Sequence, residues 1–385
     1  MPELSLPEET RVGDPLPVRL SGGPAMAEVS VRLTVTDDAG RELTVQSVYR
    51  TTTDGDLDTT KANVVEGPDI GGAMPLSHAR PEAAHQFPYA VFDEAKKTPV
   101  VVSAKVDGEV SRQDTIRAFV EPTVRTEPVG DAAAFDGEVF VPPGDGPHPG
   151  VVFLPPEDAT THRRQVAMLA TAGVAVVVPR YRASSAGDDE VRCSPVEGAV
   201  DLLASREDVD APVSIVGVGR GTEAATLVAA DHDAVDTVVG YAPTAYAFSG
   251  IVGADSSVDP LPVADDAADA EPTASRFQRA VDDASFDAME AAGLPWADVA
   301  HVTLVSGGHD TVWPATAFCE RIAMWRDRAG RDTVQVDHPD AGHGIREPYH
   351  DYREREAGLG GSALGDAEVA IDACPAVLEA VRGDD

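Results

Sequence analysis

Two residues with acid–base capacity follow apolar runs: Asp310 in Ser306-Gly307-Gly308-His309-Asp310-Thr311-Val312-Trp313-Pro314, and His343 in His338-Pro339-Asp340-Ala341-Gly342-His343-Gly344. A carboxylate that orients an imidazole fixes its tautomer and leaves one ring nitrogen able to take a proton, which is the arrangement of a general base. Upstream stands Gly217-Val218-Gly219-Arg220-Gly221, also after an apolar run. In a G-x-S-x-G elbow, glycines flank the nucleophile because the strand-to-helix turn is too tight for a β-carbon on either side. Gly217 and Gly221 take the flanking positions, but the residue between them is Gly219, which has no atom that can attack. No serine or cysteine occurs from Ile215 to Gly221. Elbow, acid and histidine therefore come in the chain order of a hydrolytic triad, with its nucleophile missing.

The oxyanion-binding positions are altered too. Acyl transfer needs one N–H from the residue after the nucleophile, here Arg220, and one from the loop after the first core strand. That loop reads Pro155-Pro156-Glu157-Asp158. Proline has no N–H to offer, and two carboxylates would repel a developing negative charge. A substitute nucleophile is not expected: Thr222 lies within the following helix and points away from the apex, and Cys193 precedes another helix. The run Gly217–Thr222 does not complete the G-x-G-x-x-G of a dinucleotide site, since Thr222 holds the last position and no Walker lysine follows. His309 beside Asp310, and His338 five residues before His343, have no third ligand nearby, so no metal site is expected. Trp313 reads as core packing, and Tyr349-His350-Asp351-Tyr352 as an exposed lid edge.

The elements that must position these residues fall into two patterns. Residues 1–125 alternate apolar with polar positions in several short runs, with Asp38-Ala39-Gly40 and Asp107-Gly108 as hairpin turns. This predicts an all-β sandwich of immunoglobulin-like type. Residues 53–98 read as loop, either a flap over a neighbouring site or a long connection. Residues 126–149 form a Pro/Gly-rich junction containing one short strand. From 150 to 385, continuous apolar strands alternate with amphipathic helices, which predicts a mostly parallel sheet covered on both faces. With the elbow, acid and histidine at strand ends, that is an α/β-hydrolase fold. An acidic, Ala/Pro-rich stretch at about 252–298 reads as a cap-like insertion, and the last helix is placed at 366–383.

These residues carry a resemblance to the acyl-CoA thioesterase and bile acid-CoA:amino acid N-acyltransferase family, whose C-terminal domain is dienelactone-hydrolase-like. "SVYRTTTDGDLD" followed by "GGAMPL" resembles the family's N-terminal signature, with Pro75 replacing its glycine. "FDGEVFVPPGDGPHPGVVFL" resembles the junction and first parallel strand, "SGGHDTVWP" the acid loop and "AGHGIREPY" the histidine loop. The resemblance implies an immunoglobulin-like domain joined to an α/β-hydrolase domain. It implies chemistry in which an elbow cysteine or serine takes an acyl group from coenzyme A and passes it to water or an amine. Asp310 and His343 match the acid and base, while Gly219 departs from the nucleophile. A coenzyme A thioester is the implied ligand, and no cofactor is expected.

Composition sets the remaining bounds. The 385 residues suit two domains. There are 66 acidic residues against 30 basic ones, a formal net charge of −36. Such an excess is costly in dilute buffer and screened in molar salt, which points to the cytoplasm of a high-salt cell. With no basic stripe to meet phosphates, nucleic acid is not an expected partner. Three cysteines without CxxC spacing read as free thiols. The N-terminus lacks the pattern of a signal peptide, and no apolar run reaches the ~20 residues of a membrane span. Three readings of function stay open: a silenced homologue that still binds an acyl ligand, a hydrolase that activates water through His343 and Asp310, and a structural or partner-binding protein.

Overall fold

The alternation of buried and exposed side chains separates two kinds of strand in this chain, and each kind builds its own unit. A computed structural model describes residues 2–72, 76, 79–81, 97–130, 135–156, 163–182, 190–253, 258–263, 274–348 and 358–383. The chain divides into Met1–Thr123 with Pro348–Arg353, and Val124–Glu347 with Glu354–Asp385.

The first unit is β-rich. Its strands are β1 (Glu3–Ser5), β2 (Glu9–Arg11), β3 (Arg19–Ser21), β4 (Glu28–Thr36), β5 (Glu42–Arg50), β6 (Leu57–Asp58), β7 (Arg80–Pro81), β8 (Lys97–Val106) and β9 (Glu109–Ala118). Six of them form a sheet in the order β2-β9-β8-β4-β5-β7, and β1-β3-β6 form a second. Along β4 every second residue, from Val29 to Val35, is buried, so one face packs and the other is wetted. Both expected hairpins form: β4 pairs antiparallel with β5, and β8 with β9. At the second turn Asp107 and Gly108 both have positive φ, 48° and 84°, the backbone that a tight Asp-Gly hairpin requires. The stretch 53–98, read as loop, contributes β6 and β7, and the Pro75 of the family-like signature lies outside the described residues.

The second unit is an α/β-hydrolase-type layer. It contains β10 (Arg125–Pro128), β11 (Gly137–Val141), β12 (His148–Leu154), α1 (Arg163–Thr171), β13 (Ala175–Pro179), β14 (Val191–Arg192), α2 (Ser194–Ala204), β15 (Val209–Val218) and α3 (Gly221–Asp231). It continues with β16 (Val235–Tyr241), β17 (Ile251–Val252), α4 (Ala274–Asp282), α5 (Phe286–Ala291), β18 (His301–Gly307), α6 (Ala315–Arg328), β19 (Val334–His338) and α7 (Ala363–Arg382). The main sheet runs β10-β11-β13-β12-β15-β16-β18-β19. From β13 to β19 its pairings are parallel, while β10 and β11 add antiparallel. Residues 126–149, read as a junction, thus supply two strands of the sheet. Every residue of β13 and the last six of β15 are buried, as expected for strands covered on both faces. The described part of the 252–298 insertion holds α4 and α5. The last helix begins three residues before its predicted start, because Ser362 caps it by accepting from the Gly365 amide.

Candidate functional site

The elbow forms between β15 and α3, and backbone contact dictates its residue types. A β-carbon on Gly217 would lie 2.8 Å from the carbonyl of Gly221 and the amide of Thr222, and one on Gly221 would lie 2.7 Å from the Leu154 carbonyl oxygen. Neither position admits a side chain. At the apex Gly219 has φ +57°, the left-handed conformation that L-residues adopt only at a cost. Its amide donates to the Tyr241 carbonyl at 2.9 Å, which fastens the apex to the end of β16. A β-carbon placed on Gly219 would lie 3.3 Å from Nε2 of His343 and 3.9 Å from Cβ of Pro156.

The loop after β18 brings in the acid, and the loop after β19 the imidazole. His343 Nδ1 and Asp310 Oδ2 are 2.8 Å apart. A carboxylate only accepts, so Nδ1–H donates and the lone pair of the neutral ring lies on Nε2, toward Gly219. The Asp310 side chain is only 1% exposed. Its other oxygen accepts from the amides of Val312 at 2.8 Å and Trp313 at 3.2 Å, so the acid is held by its own loop. The structure therefore brings Gly219, Asp310 and His343 together, as their order along the chain implied.

An aromatic wall backs the imidazole. Trp313 meets the His343 ring edge-on, with centroids 4.8 Å apart and planes at 89°. Phe277 of α4 packs on Trp313 at 5.3 Å and on Phe248 at 5.0 Å. Trp313 is buried, as its reading as a packing residue requires, and its indole N–H donates to the Ala242 carbonyl at 3.2 Å. Ala242 has φ +43°, a strained conformation for a residue with a β-carbon. Ala242, Phe248 and Phe277 were not found from the sequence. The φ of an alanine leaves no compositional mark, and the two phenylalanines are isolated apolar residues in irregular or acidic stretches.

The oxyanion positions sit beside the apex but offer little. The carbonyl of Pro155 accepts from the Tyr181 hydroxyl at 2.5 Å, and that of Pro156 accepts from the Arg182 guanidinium. Glu157 and Asp158 lie outside the described residues. Arg220 directs its buried guanidinium to Glu223 at 2.8 Å and to the carbonyls of Phe248 and Ser249, each at 3.1 Å. Only its amide, at the α3 N-terminus, can serve a developing negative charge. Tyr349-His350-Asp351-Tyr352 lies outside the described residues.

Neither Thr222 nor Cys193 stands in for the missing nucleophile. The Thr222 hydroxyl donates to the Gly219 carbonyl at 2.8 Å from inside the helix. The Cys193 thiol is buried, and burial pushes its pKa up to about 12. His338 instead meets Glu368 at 2.9 Å. Among the described residues no three His, Cys, Asp or Glu side chains converge as metal ligands, and no helix is long and apolar enough to cross a membrane.

Residues 194–358 match the family model described as BAAT / Acyl-CoA thioester hydrolase C terminal. The chain is 24% identical over 238 residues to acyl-coenzyme A amino acid N-acyltransferase 2 of Mus musculus, a match covering 57% of this chain and 56% of that one. It is 24% identical over 387 residues to acyl-coenzyme A thioesterase 5 of Mus musculus, covering 94% of this chain and 91% of that one. The matched segment thus spans little more than half of the N-acyltransferase. Among solved structures, a dienelactone hydrolase-like promiscuous phosphotriesterase from metagenomic libraries aligns with TM-score 0.41 and 18% identity, covering 67% of this chain and 98% of that one.

Proposed function

We propose that this chain, which belongs with the acyl-CoA thioesterases and acyl-CoA:amino acid N-acyltransferases, binds an acyl thioester of coenzyme A or a similar acyl ligand without forming an acyl-enzyme. One observation carries the reading: Gly219, with no side chain, occupies the elbow apex opposite His343 Nε2. Losing the attacking atom costs on the order of 10⁶ in rate for a serine hydrolase. A missing oxyanion donor costs about 3–4 kcal/mol more of transition-state stabilisation, and Pro155 and Pro156 have no N–H to give. Titration calorimetry with acyl-CoAs of several chain lengths, in molar salt, tests the proposal. Saturable heat with at least one is expected, and no heat at any length from folded protein would overturn it. The salt is chosen because 66 acidic against 30 basic residues suit a salt-rich cytoplasm.

The 2.8 Å bond between Asp310 and His343 favours a second reading. With no attacking atom on residue 219, His343 Nε2 would take a proton from water as the water oxygen attacks the thioester carbon. The intermediate would then expel the coenzyme A thiolate, which takes from the imidazolium the proton that came from water, giving free acid and thiol. Thioester hydrolysis that is unchanged in His343→Ala would end this second reading.

A further inference from the structure

The His343–Asp310 pair is held by a segment that sequence reasoning left out. Between the described residues 358 and 366, the chain touches both loops of the dyad. The Leu359 carbonyl accepts from the His343 amide at 2.8 Å, and Gly360 forms an antiparallel bridge with Asp310. Thr311 donates its hydroxyl to the Gly358 carbonyl at 2.7 Å, and the Ser362 amide donates to Asp340 at 2.7 Å. A β-carbon on Gly361 would lie 2.1 Å from the Gly342 amide nitrogen, so backbone meets backbone here without side chains between.

Asp366 lies in the first turn of α7. It is 1% exposed, and its Oδ1 accepts from the Gly342 amide at 2.7 Å. Gly342 directly precedes His343. A carboxylate that accepts a buried backbone N–H forms a strong, charge-assisted bond, and it is well placed near a helix N-terminus. Removing it leaves a buried donor unmet in the residue that aims the imidazole. The ring also rests on Trp313, so a rotation of the loop would lengthen the bond to Asp310 while leaving the core of the sheet in place.

We propose that Asp366 is a positioning residue for His343, acting through Gly342 to hold the imidazole in register with Asp310. The proposal rests on the Gly219–His343 site being the functional one, but its test needs no acyl ligand. Proton NMR of histidine-labelled protein reads the hydrogen-bonded Nδ1–H of His343 directly. Asp366→Ala is expected to broaden or erase that downfield signal in a folded protein. Asp366→Asn, whose amide oxygen can still accept from Gly342, is expected to keep it. The Gly342 amide should also exchange with solvent roughly tenfold faster or more in Asp366→Ala. An Nδ1–H signal unchanged in Asp366→Ala would overturn the proposal. If that variant does not fold, Gly342 exchange in the unaltered chain decides: protection like that of the core strands supports the proposal, and exchange at the rate of an open loop overturns it. Failure of every acyl-CoA to bind would leave these signals where they are.

Discussion

Nε2 of His343 stands 3.3 Å from the point a β-carbon on Gly219 would occupy. A base is thus held by its acid partner directly beside the elbow apex, a few tenths of an ångström closer than a side chain there would leave it, over a residue that supplies none. The retained dyad and the missing side chain are separate facts. Packing of the loops after β18 and β19 holds the dyad, whereas only the identity of residue 219 determines whether an acyl-enzyme can form.

Restoring the attacking atom should restore the covalent step but little turnover. In Gly219→Cys, a side chain at φ +57° costs about 1–2 kcal/mol, and His343 must yield by a few tenths of an ångström. The expected result with acyl-CoA is an acyl adduct on residue 219, seen by intact mass, that both forms and is released slowly because Pro155 and Pro156 give the oxyanion no N–H. A folded variant that stays unmodified by every chain length would contradict the placement of residue 219 at the apex.

Asp310→Ala should destabilise the second unit well beyond the effect of a surface change. It leaves the Val312 and Trp313 amides and the His343 ring N–H without their acceptor. At about 1 kcal/mol or more for each buried group, Tm should fall by roughly 6–12 °C. Calorimetry showing a fall of under about 1 °C would mean that these bonds do not hold the loop.

Two buried thiols should make the fold alkali-sensitive. Burial raises Cys193 and Cys319 to about 12 from an ordinary value of 9.0. Their folded values lie above their unfolded ones, so the contribution is complete below about pH 9 and is lost as pH rises toward 12. Each thiol then weakens folding by up to about 1.4 kcal/mol per pH unit. Urea midpoints measured on either side of pH 9 should fall with rising pH, and less steeply in Cys193→Ala/Cys319→Ala. An equal slope in the double variant would assign the loss to other groups.

Salt should stabilise the protein. At a net charge of −36, shortening the screening length from about 10 Å at 0.1 M to about 3 Å at 1 M relieves repulsion among carboxylates. The expected outcome is a rising unfolding midpoint in potassium chloride. A midpoint that falls or stays flat would remove the solvation reading of the acidic excess.

Much of this arrangement is legible without coordinates because it is local. Apolar runs such as Ala175–Pro179 mark strands covered on both faces, and alternation such as that of Glu28–Thr36 marks a half-wetted one. The glycines at 217 and 221 mark an elbow by their spacing alone, and Asp310 and His343 follow in the order a triad requires. The short strand read in the junction is β11 (Gly137–Val141), whereas Arg125–Pro128 did not read as a sheet strand beside a Pro/Gly cluster. β11 joins the sheet because β13 offers it a partner, and β10 pairs with β11 as the edge strand.

The sequence by itself determined the strand and helix periods, the elbow, the acid and histidine in order, and the missing nucleophile, because each is written in residue types at short spacing. Only the tertiary structure decided the distance from residue 219 to His343, the strained φ of Ala242, the Phe277–Trp313 wall and the hold of Asp366 on Gly342. Those depend on which distant segments come into contact, and packing of the whole sheet and its helices sets that, since no spacing along the chain encodes it.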